Sequence, residues 1–208
     1  KVAEAKHLAA ESRLKLLETQ LEPHMLFNTL ANLRVLIAID PVRAQDMLDR
    51  MVAYLRATLS ASRASNHALQ LEFDRLRDYL ELMTVRMGPR LQYVLDLPAD
   101  LVDQNVPALL LQPLVENSIK HGLEPKVEGG TITVRARRAA NHMLCLEVSD
   151  TGTGFDSAAS ASSGFGLAQV HERLAAAYDS QGRVEQTSTP GHGATTLLYL
   201  PLTDARNA

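Results

Sequence analysis

The feature that most restricts what this chain can become is a change of hydrophobic period at Gly88-Pro89. Before that dipeptide apolar residues recur in steps of three and four; after it they alternate with polar ones, the spacings of helices and of strands respectively. Residues 2–22 hold no glycine or proline, and Leu14, Leu17 and Leu21 mark an amphipathic helix too short to prove a coiled coil. Pro23 breaks that helix and restarts another from its first position, where a missing amide costs nothing. Leu26, Leu30, Leu33 and Ile37 form its apolar stripe. Asp40 and Pro41 read as N-cap and first position of the next helix. Its stripe is Leu48, Met51, Val52, Leu55 and Leu59, and the Ser/Ala-rich residues 60–66 end it. A third helix is predicted over residues 69–87, with Phe73, Leu76, Leu80 and Met83 on its buried side. Helices of this kind suit hairpins and bundles. Each has an apolar face in need of a partner, so a dimer that completes a bundle is a natural outcome.

Past Gly88-Pro89, residues 91–97, 131–137 and 143–148 alternate as strands, with turns at Gly129-Gly130 and Asn141-His142. Shorter strands are predicted near residues 183–187 and 195–200. Helices intervene at 107–122 and at 165–178, the latter with Leu167, Val170 and Leu174 on its apolar face. The fold class is therefore α+β: a helical region over residues 1–89, then an α/β sandwich with a mixed sheet over residues 90–208.

Composition excludes several classes. The 208 residues carry a formal charge of −3, with 46% hydrophobic and 22% charged side chains. There is no basic footprint, so nucleic acid is not an expected partner. No apolar run approaches the roughly 18 residues needed to span a bilayer. Cys145 is the only cysteine; it lies in an apolar strand, cannot pair within the chain, and fits a reducing compartment. The chain opens at Lys1 without an initiator methionine, which points to a fragment whose upstream part is missing.

Chemistry concentrates in a few stretches. Residues 107–122 read as one buried helix, with Leu109, Leu110, Leu114, Val115 and Ile119 on its apolar side. Asn117, Lys120 and His121 stand at i, i+3 and i+4, neighbours on an α-helix. Two readings are open: a magnesium and polyphosphate site, or a helix end capped by cations and closed by Gly122. The strand ending at Val148 runs into Ser149-Asp150-Thr151-Gly152-Thr153-Gly154. Either this is a plain turn, or it sets a carboxylate at a pocket mouth that glycines keep open to a flat ligand bearing an exocyclic amine. Residues 155–163 are an Ala/Ser-rich loop, a linker or a lid. Gly164-Phe165-Gly166-Leu167 then opens a helix whose bare amides suit phosphates. Gly191-His192-Gly193-Ala194-Thr195 is, by itself, a glycine turn. His24 lies about 200° around its helix from Leu26, off the apolar stripe, with Asn28 one turn on; a phosphate acceptor with a water-positioning neighbour and an ordinary surface histidine both fit.

The order of these parts supports a named resemblance. Residues 91–201 resemble the ATP-binding domain shared by histidine kinases, type II topoisomerases and related chaperone and mismatch-repair ATPases. Leu21-Glu22-Pro23-His24-Met25-Leu26-Phe27-Asn28-Thr29-Leu30, taken with Gln112-Pro113-Leu114-Val115-Glu116-Asn117-Ser118-Ile119-Lys120-His121-Gly122, more narrowly resembles sensor histidine kinases of the LytS type. The resemblance covers nearly the whole chain. It implies His24 as phosphoryl acceptor, Asn28 as an aid to dephosphorylation, Asn117 as Mg2+ ligand and Asp150 as reader of adenine. It implies Lys120 and His121 at the phosphates, Gly152 and Gly154 shaping the base pocket, residues 155–163 as ATP lid, and Gly164, Gly166 and Leu167 at the triphosphate. Met25 departs from the usual phenylalanine, a volume-conserving apolar change, and Ala194 stands where a threonine is common.

ATPases of this superfamily that hydrolyse ATP carry a glutamate one turn before the metal asparagine; here that position is Pro113, and no general base stands there. Glu116 lies about 100° around the helix from Asn117. The resemblance thus implies a dimeric kinase core that uses Mg-ATP to phosphorylate His24 and passes the group to an aspartate of a response regulator. It further implies the cytoplasmic portion of an inner-membrane sensor, attached to an upstream membrane region. Two alternatives remain at this level: an ATP-binding signalling module without transfer, and a serine kinase of anti-sigma type, against which the helical front end argues.

Overall fold

The computed structural model describes residues 23–61, 66–155 and 165–202; the helix expected over residues 2–22 lies outside them. The chain divides at Arg63/Ala64 into two compact units, each described here by itself.

The described part of the first unit is two helices, α1 (Pro23–Ile39) and α2 (Pro41–Ala61), which pack on each other. The Asp40 carboxylate accepts the Arg43 amide at 3.1 Å, and Pro41 occupies the first helical position, so the N-cap reading holds. The stripes do not hold as expected. On α2 the buried residues are Ala44, Met47, Met51, Tyr54 and Thr58, stepping by three and four, whereas Leu48 and Val52 are 46% and 39% exposed. Of the expected stripe Met51 belongs to this buried set, while Leu48 and Val52 lie on a second apolar face, because Met47 and Tyr54 complete the buried one. On α1 Leu33 and Thr29 are buried while Leu30 and Ile37 are exposed, with Phe27, Val35 and Ile39 exposed beside them.

The second unit begins with a short strand, β1 (Asn66–Ala68), and α3 (Leu69–Met87). The expected boundary near residues 88–90 therefore falls inside a compact unit. The reason is packing: α3 buries Leu69, Phe73, Leu76, Leu80 and Met83, as its periodicity predicts, and contacts β2 (Leu91–Asp96). Next come β3 (Asn105–Pro107), α4 (Gln112–Asn117), β4 (Gly130–Ala139), β5 (Met143–Asp150), α5 (Phe165–Tyr178), β6 (Arg183–Thr189) and β7 (Gly193–Pro201). Five strands form one sheet in the order β2-β4-β5-β7-β6. The β2–β4 pair is parallel and the rest antiparallel, so the sheet is mixed. Its inner face carries Ile132, Val134, Ala136, Leu144, Leu146, Val148, Leu198 and Leu200, all buried, the alternation that a half-covered sheet requires. Asn141 and His142 turn β4 into β5 with φ of 59° and 57°, the doubly left-handed pair that a tight hairpin demands.

The sequence missed a second sheet: β1 pairs antiparallel with β3, Asn66 opposite Pro107. Pro107 thus ends a strand and does not start a helix. Residues 108–111 form a turn with Leu109 at φ 59°, and α4 begins only at Gln112.

Candidate functional site

The stretch after β5 is fixed by close packing of backbone on backbone. The Asp150 Oδ1 atom accepts the Gly152 amide at 2.9 Å. A Cβ on Gly152 would collide with the Gly122 backbone, and one on Gly122 would stand 2.8 Å from Asp150 Oδ1. Only two glycines allow the helix end and the turn to meet with a carboxylate between them. Two more bonds pin the turn to the same helix end: the Thr153 amide donates to the Gly122 carbonyl at 2.9 Å and Thr153 Oγ1 to the His121 carbonyl at 3.0 Å. Asp150 is 7% exposed. A nearly buried carboxylate needs donors, and among the described residues only Oδ1 accepts a hydrogen bond.

The other glycine box comes to the same place. The Gly191 amide donates to the Thr153 carbonyl at 2.6 Å, and Ala194 pairs with Asp150 across the ladder. Gly154, at φ 61°, abuts the Thr189 carbonyl. Ser188 Oγ accepts the Phe155 amide at 2.8 Å and donates to the Gly193 carbonyl at 3.0 Å, which anchors the chain where the expected lid starts. Thr151 is held from the far side, its Oγ1 accepting the Thr131 amide at 2.9 Å and its carbonyl accepting Lys126 Nζ at 2.6 Å. These two threonines and Lys126 were not singled out from the sequence, where nothing distinguishes them from ordinary turn residues.

Asn117 is the last residue of α4, half-buried, with no hydrogen bond from its side chain among the described residues. Beyond it the α spacing fails. Residues Ser118–Leu123 form a π-helical turn, in which the Glu124 amide reaches back five residues to the Ile119 carbonyl at 2.8 Å. Lys120 and His121, expected over Asn117 at i+3 and i+4, lie on this wider turn; Lys120 is half-buried and His121 exposed. Such turns recur at functional sites. Here the turn delivers Gly122 against Asp150. The expected buried set of this stretch, Leu109, Leu110, Leu114, Val115 and Ile119, is buried throughout. Pro113 stands in the first turn of α4, and the Glu116 carboxylate accepts Gln112 Nε2 at 2.7 Å.

The remaining candidates are only partly visible. His24 sits in the first turn of α1, and Gly166 in the first turn of α5, but the His24 side chain lies outside the described residues, as do residues 156–164, which include Gly164 and all of the expected lid after Phe155. Asn28 and Leu167 are half-buried. Asn28 belongs to the first unit, while Asn117, Asp150, Gly152, Gly154 and Leu167 belong to the second. Among the described residues no three His, Cys, Asp or Glu side chains gather as a metal site, and no helix is long and apolar enough to cross a membrane.

The residue most clearly missed is Glu72. It lies on the buried stripe of α3, between Leu69 and Phe73, and is 2% exposed. Its carboxylate accepts His67 Nε2 at 2.7 Å, Arg75 Nη1 at 3.0 Å, and the amides of Leu109 and Leu111 at 2.8 and 3.1 Å. Burial works to raise its pKa, but the hydrogen bond from His67, the charge of Arg75 and the Leu111 amide overcome that and hold it below the ordinary carboxylate value. A charge at a core position of a helical stripe was the available signal, since such a charge requires partners.

Comparison with known proteins agrees with this arrangement. Residues 12–91 match the histidine kinase family model, and residues 102–204 match that of the histidine kinase-, DNA gyrase B- and HSP90-like ATPases. The sensor histidine kinase BtsS of Escherichia coli is 31% identical over 200 residues, 96% of this chain and 35% of that protein. The sensor protein LytS of Oceanobacillus iheyensis is 32% identical over 151 residues, 73% of this chain and 26% of that protein. The match thus spans about a quarter to a third of the length of these relatives. In fold it is similar to the histidine kinase domain of the Erythrobacter litoralis EL346 blue-light activated histidine kinase, with a TM-score of 0.55 at 14% identity, covering 89% of this chain and 91% of that one. It is also similar to full-length ShkA, solved in complex with AMPPNP, with a TM-score of 0.51 at 20% identity over 98% of this chain and 46% of that one. The two family models account for most of the sequence between them, and the chain belongs to the sensor histidine kinases of the LytS type.

Proposed function

We propose that this chain is the catalytic core of a two-component sensor kinase, which uses Mg-ATP to phosphorylate His24 and then passes the phosphoryl group to an aspartate of a response regulator. The observation that carries the reading is the cradle of Asp150, Gly122 and Gly152. The two glycines let the helix end and the turn close on a nearly buried carboxylate, an acceptor suited to an exocyclic amine. Asn117 stands at the end of the helix that forms one wall of the cradle. Its amide oxygen suits a Mg2+ that arrives with the phosphates of its nucleotide, the usual manner of magnesium binding. Lys120 and His121 follow on the π turn, Gly166 and Leu167 lie in the first turn of α5, and these four, with Gly164 just before that helix in sequence, are the further phosphate contacts of this reading.

Transfer rather than hydrolysis fits the residues around Asn117. Pro113 supplies no base, and the Glu116 carboxylate is engaged by Gln112, so no described side chain of α4 is placed to activate water. Phosphoryl transfer depends mainly on positioning and charge neutralisation, and an imidazole is an adequate nucleophile. Residues 1–89 would then form the dimerisation and phosphotransfer region and residues 90–208 the ATP-binding region, with α3 structurally part of the second unit. The exposed Phe27, Val35, Ile37, Ile39, Leu48 and Val52 on α1 and α2 support a homodimer in which two helical hairpins complete one bundle. As the family resemblance implies, we propose that the chain is the cytoplasmic portion of an inner-membrane sensor; the relatives it matches are named sensor proteins, and the match spans about a quarter to a third of their length.

Incubation with γ-labelled ATP and Mg2+ tests the reading. Acid-labile label on the wild type that is lost in His24→Ala supports it. Label that persists in His24→Ala removes His24 as acceptor, and nucleotide binding without any label favours a binding module that transfers nothing.

A further inference from the structure

Glu72 is not accounted for by nucleotide contacts, yet four donors converge on it. Two of them are the Leu109 and Leu111 amides, 37 and 39 residues away in sequence. Leu111 is the N-cap of α4, and Glu72 accepts its amide from another helix, as the glutamate of a capping box accepts the N-cap amide within one helix. Leu109, which bears the first of these bonded amides, holds a φ of 59°, unfavourable for a bulky residue unless its surroundings impose it.

The same segment is held from α5. Arg173 Nη1 donates to the Ala108 carbonyl and Tyr178 Oη to the Asn105 carbonyl at 3.3 Å. Burial lowers the Arg173 pKa, and the negative charge of Glu72 resists that effect, so the two groups sense each other. From the third side, β1 pairs with β3 and contributes His67. Residues 105–111 are thereby clamped by β1, α3 and α5 immediately before the helix that ends in Asn117. Stability alone is a poor account of such a cluster. Buried ion groups can often be exchanged for apolar ones at no loss, and Arg75 Nε has no partner among the described residues.

We propose that Glu72 is a positioning residue for the nucleotide site: by holding the Leu109 and Leu111 amides it fixes where α4 begins, and so where Asn117 and the Gly122 end of the cradle stand. This rests on the nucleotide reading above. Glutamine at this position keeps the volume but turns an NH2 toward donors, so at least one of the four bonds is lost.

The test measures binding of ADP and of a non-hydrolysable ATP analogue with Mg2+ by calorimetry, on the full chain, at a temperature where circular dichroism shows every variant folded. Four proteins are compared: wild type, Glu72→Gln, Arg173→Met and Leu200→Ala. Leu200 is buried near the opposite end of the β5–β7 ladder from Asp150, so Leu200→Ala lowers stability without touching the clamp. We expect a Kd raised at least about tenfold in Glu72→Gln, as for loss of a charged buried hydrogen bond, with faster amide exchange at Leu109 and Leu111. Leu200→Ala should keep wild-type affinity and wild-type exchange at those amides. If Glu72→Gln does not fold, Arg173→Met decides, with a raised Kd expected. Wild-type affinity in a folded Glu72→Gln, or in Arg173→Met where that variant decides, overturns the proposal and leaves the nucleotide reading standing. Failure of the wild type itself to bind nucleotide overturns both.

Discussion

A Cβ added to Gly122 would lie 2.8 Å from Oδ1 of Asp150, the oxygen that accepts the Gly152 amide at 2.9 Å. The end of a helix and the start of a loop are thus fitted to one carboxylate with less than a methyl group to spare. Gly122→Ala should displace that carboxylate or the turn behind it, and Asp150→Asn should put an amide where an acceptor is needed. Each is expected to weaken nucleotide binding by about 10- to 100-fold, the equivalent of roughly 1.5–3 kcal/mol for a hydrogen bond to a charged group. Calorimetric titration with ADP checks both. Wild-type affinity in Asp150→Asn would contradict the pocket assignment outright.

Acid should expose the role of Glu72 in folding. Its carboxyl lies below the ordinary value of 4.5 in the folded chain, so it binds protons less readily folded than unfolded. Its contribution to stability is therefore complete above about pH 4.5 and is lost as the pH falls through the folded value. Urea midpoints of wild type and Glu72→Gln should differ most near neutral pH and converge as the pH is lowered. A difference that stays constant down to about pH 3 would mean that the charge is not what the cluster uses.

Cys145 sits near the start of β5 with no exposed surface, and burial raises its thiol pKa. Thiolate is the reactive form, and here it is both scarce and enclosed. A thiol reagent such as Ellman's should label the folded chain far more slowly than the chain in urea. Equal rates would show that β5 opens readily under native conditions.

Much of this fold could be read from periodicity, and the exceptions have physical causes. The five strands of the main sheet and helix α3 follow from clean alternation and a clean apolar stripe. The stretch before Asn117 was misread because Leu109, Leu110 and Leu111 look like helix: they are buried, as expected, but the bonds that hold them come from Glu72 on another element, and no local pattern reports a remote acceptor. The π turn over Ser118–Leu123 is equally silent, since the same six residues would also suit an α-helix. On α2 the sequence contained two apolar faces, and residue type alone does not rank Met47 and Tyr54 above Leu48 and Val52. The site fared better. Asp150, Gly122, Gly152 and the Gly191 turn were each weak signals apart, and the structure brings them within hydrogen-bond or contact distance of one another.

The second apolar face of α2 leads to the last prediction. Leu48 and Val52 lie one turn apart and are 46% and 39% exposed, while the buried side of the same helix is complete with Ala44, Met47, Met51 and Tyr54. Burying two aliphatic side chains stabilises by about 1.5–3 kcal/mol each, and a symmetric pair of helices would gain that on both copies. Substituting both by glutamate should leave each helix folded, because neither residue belongs to the buried set, yet place charges where an apolar seam is needed. We expect the wild type to sediment as a dimer at micromolar concentration and the double variant as a monomer, with a dissociation constant raised at least ~100-fold. A doubly substituted chain that remains dimeric would place the interface on another surface, and a monomeric wild type would show that this face is not paired with its own copy.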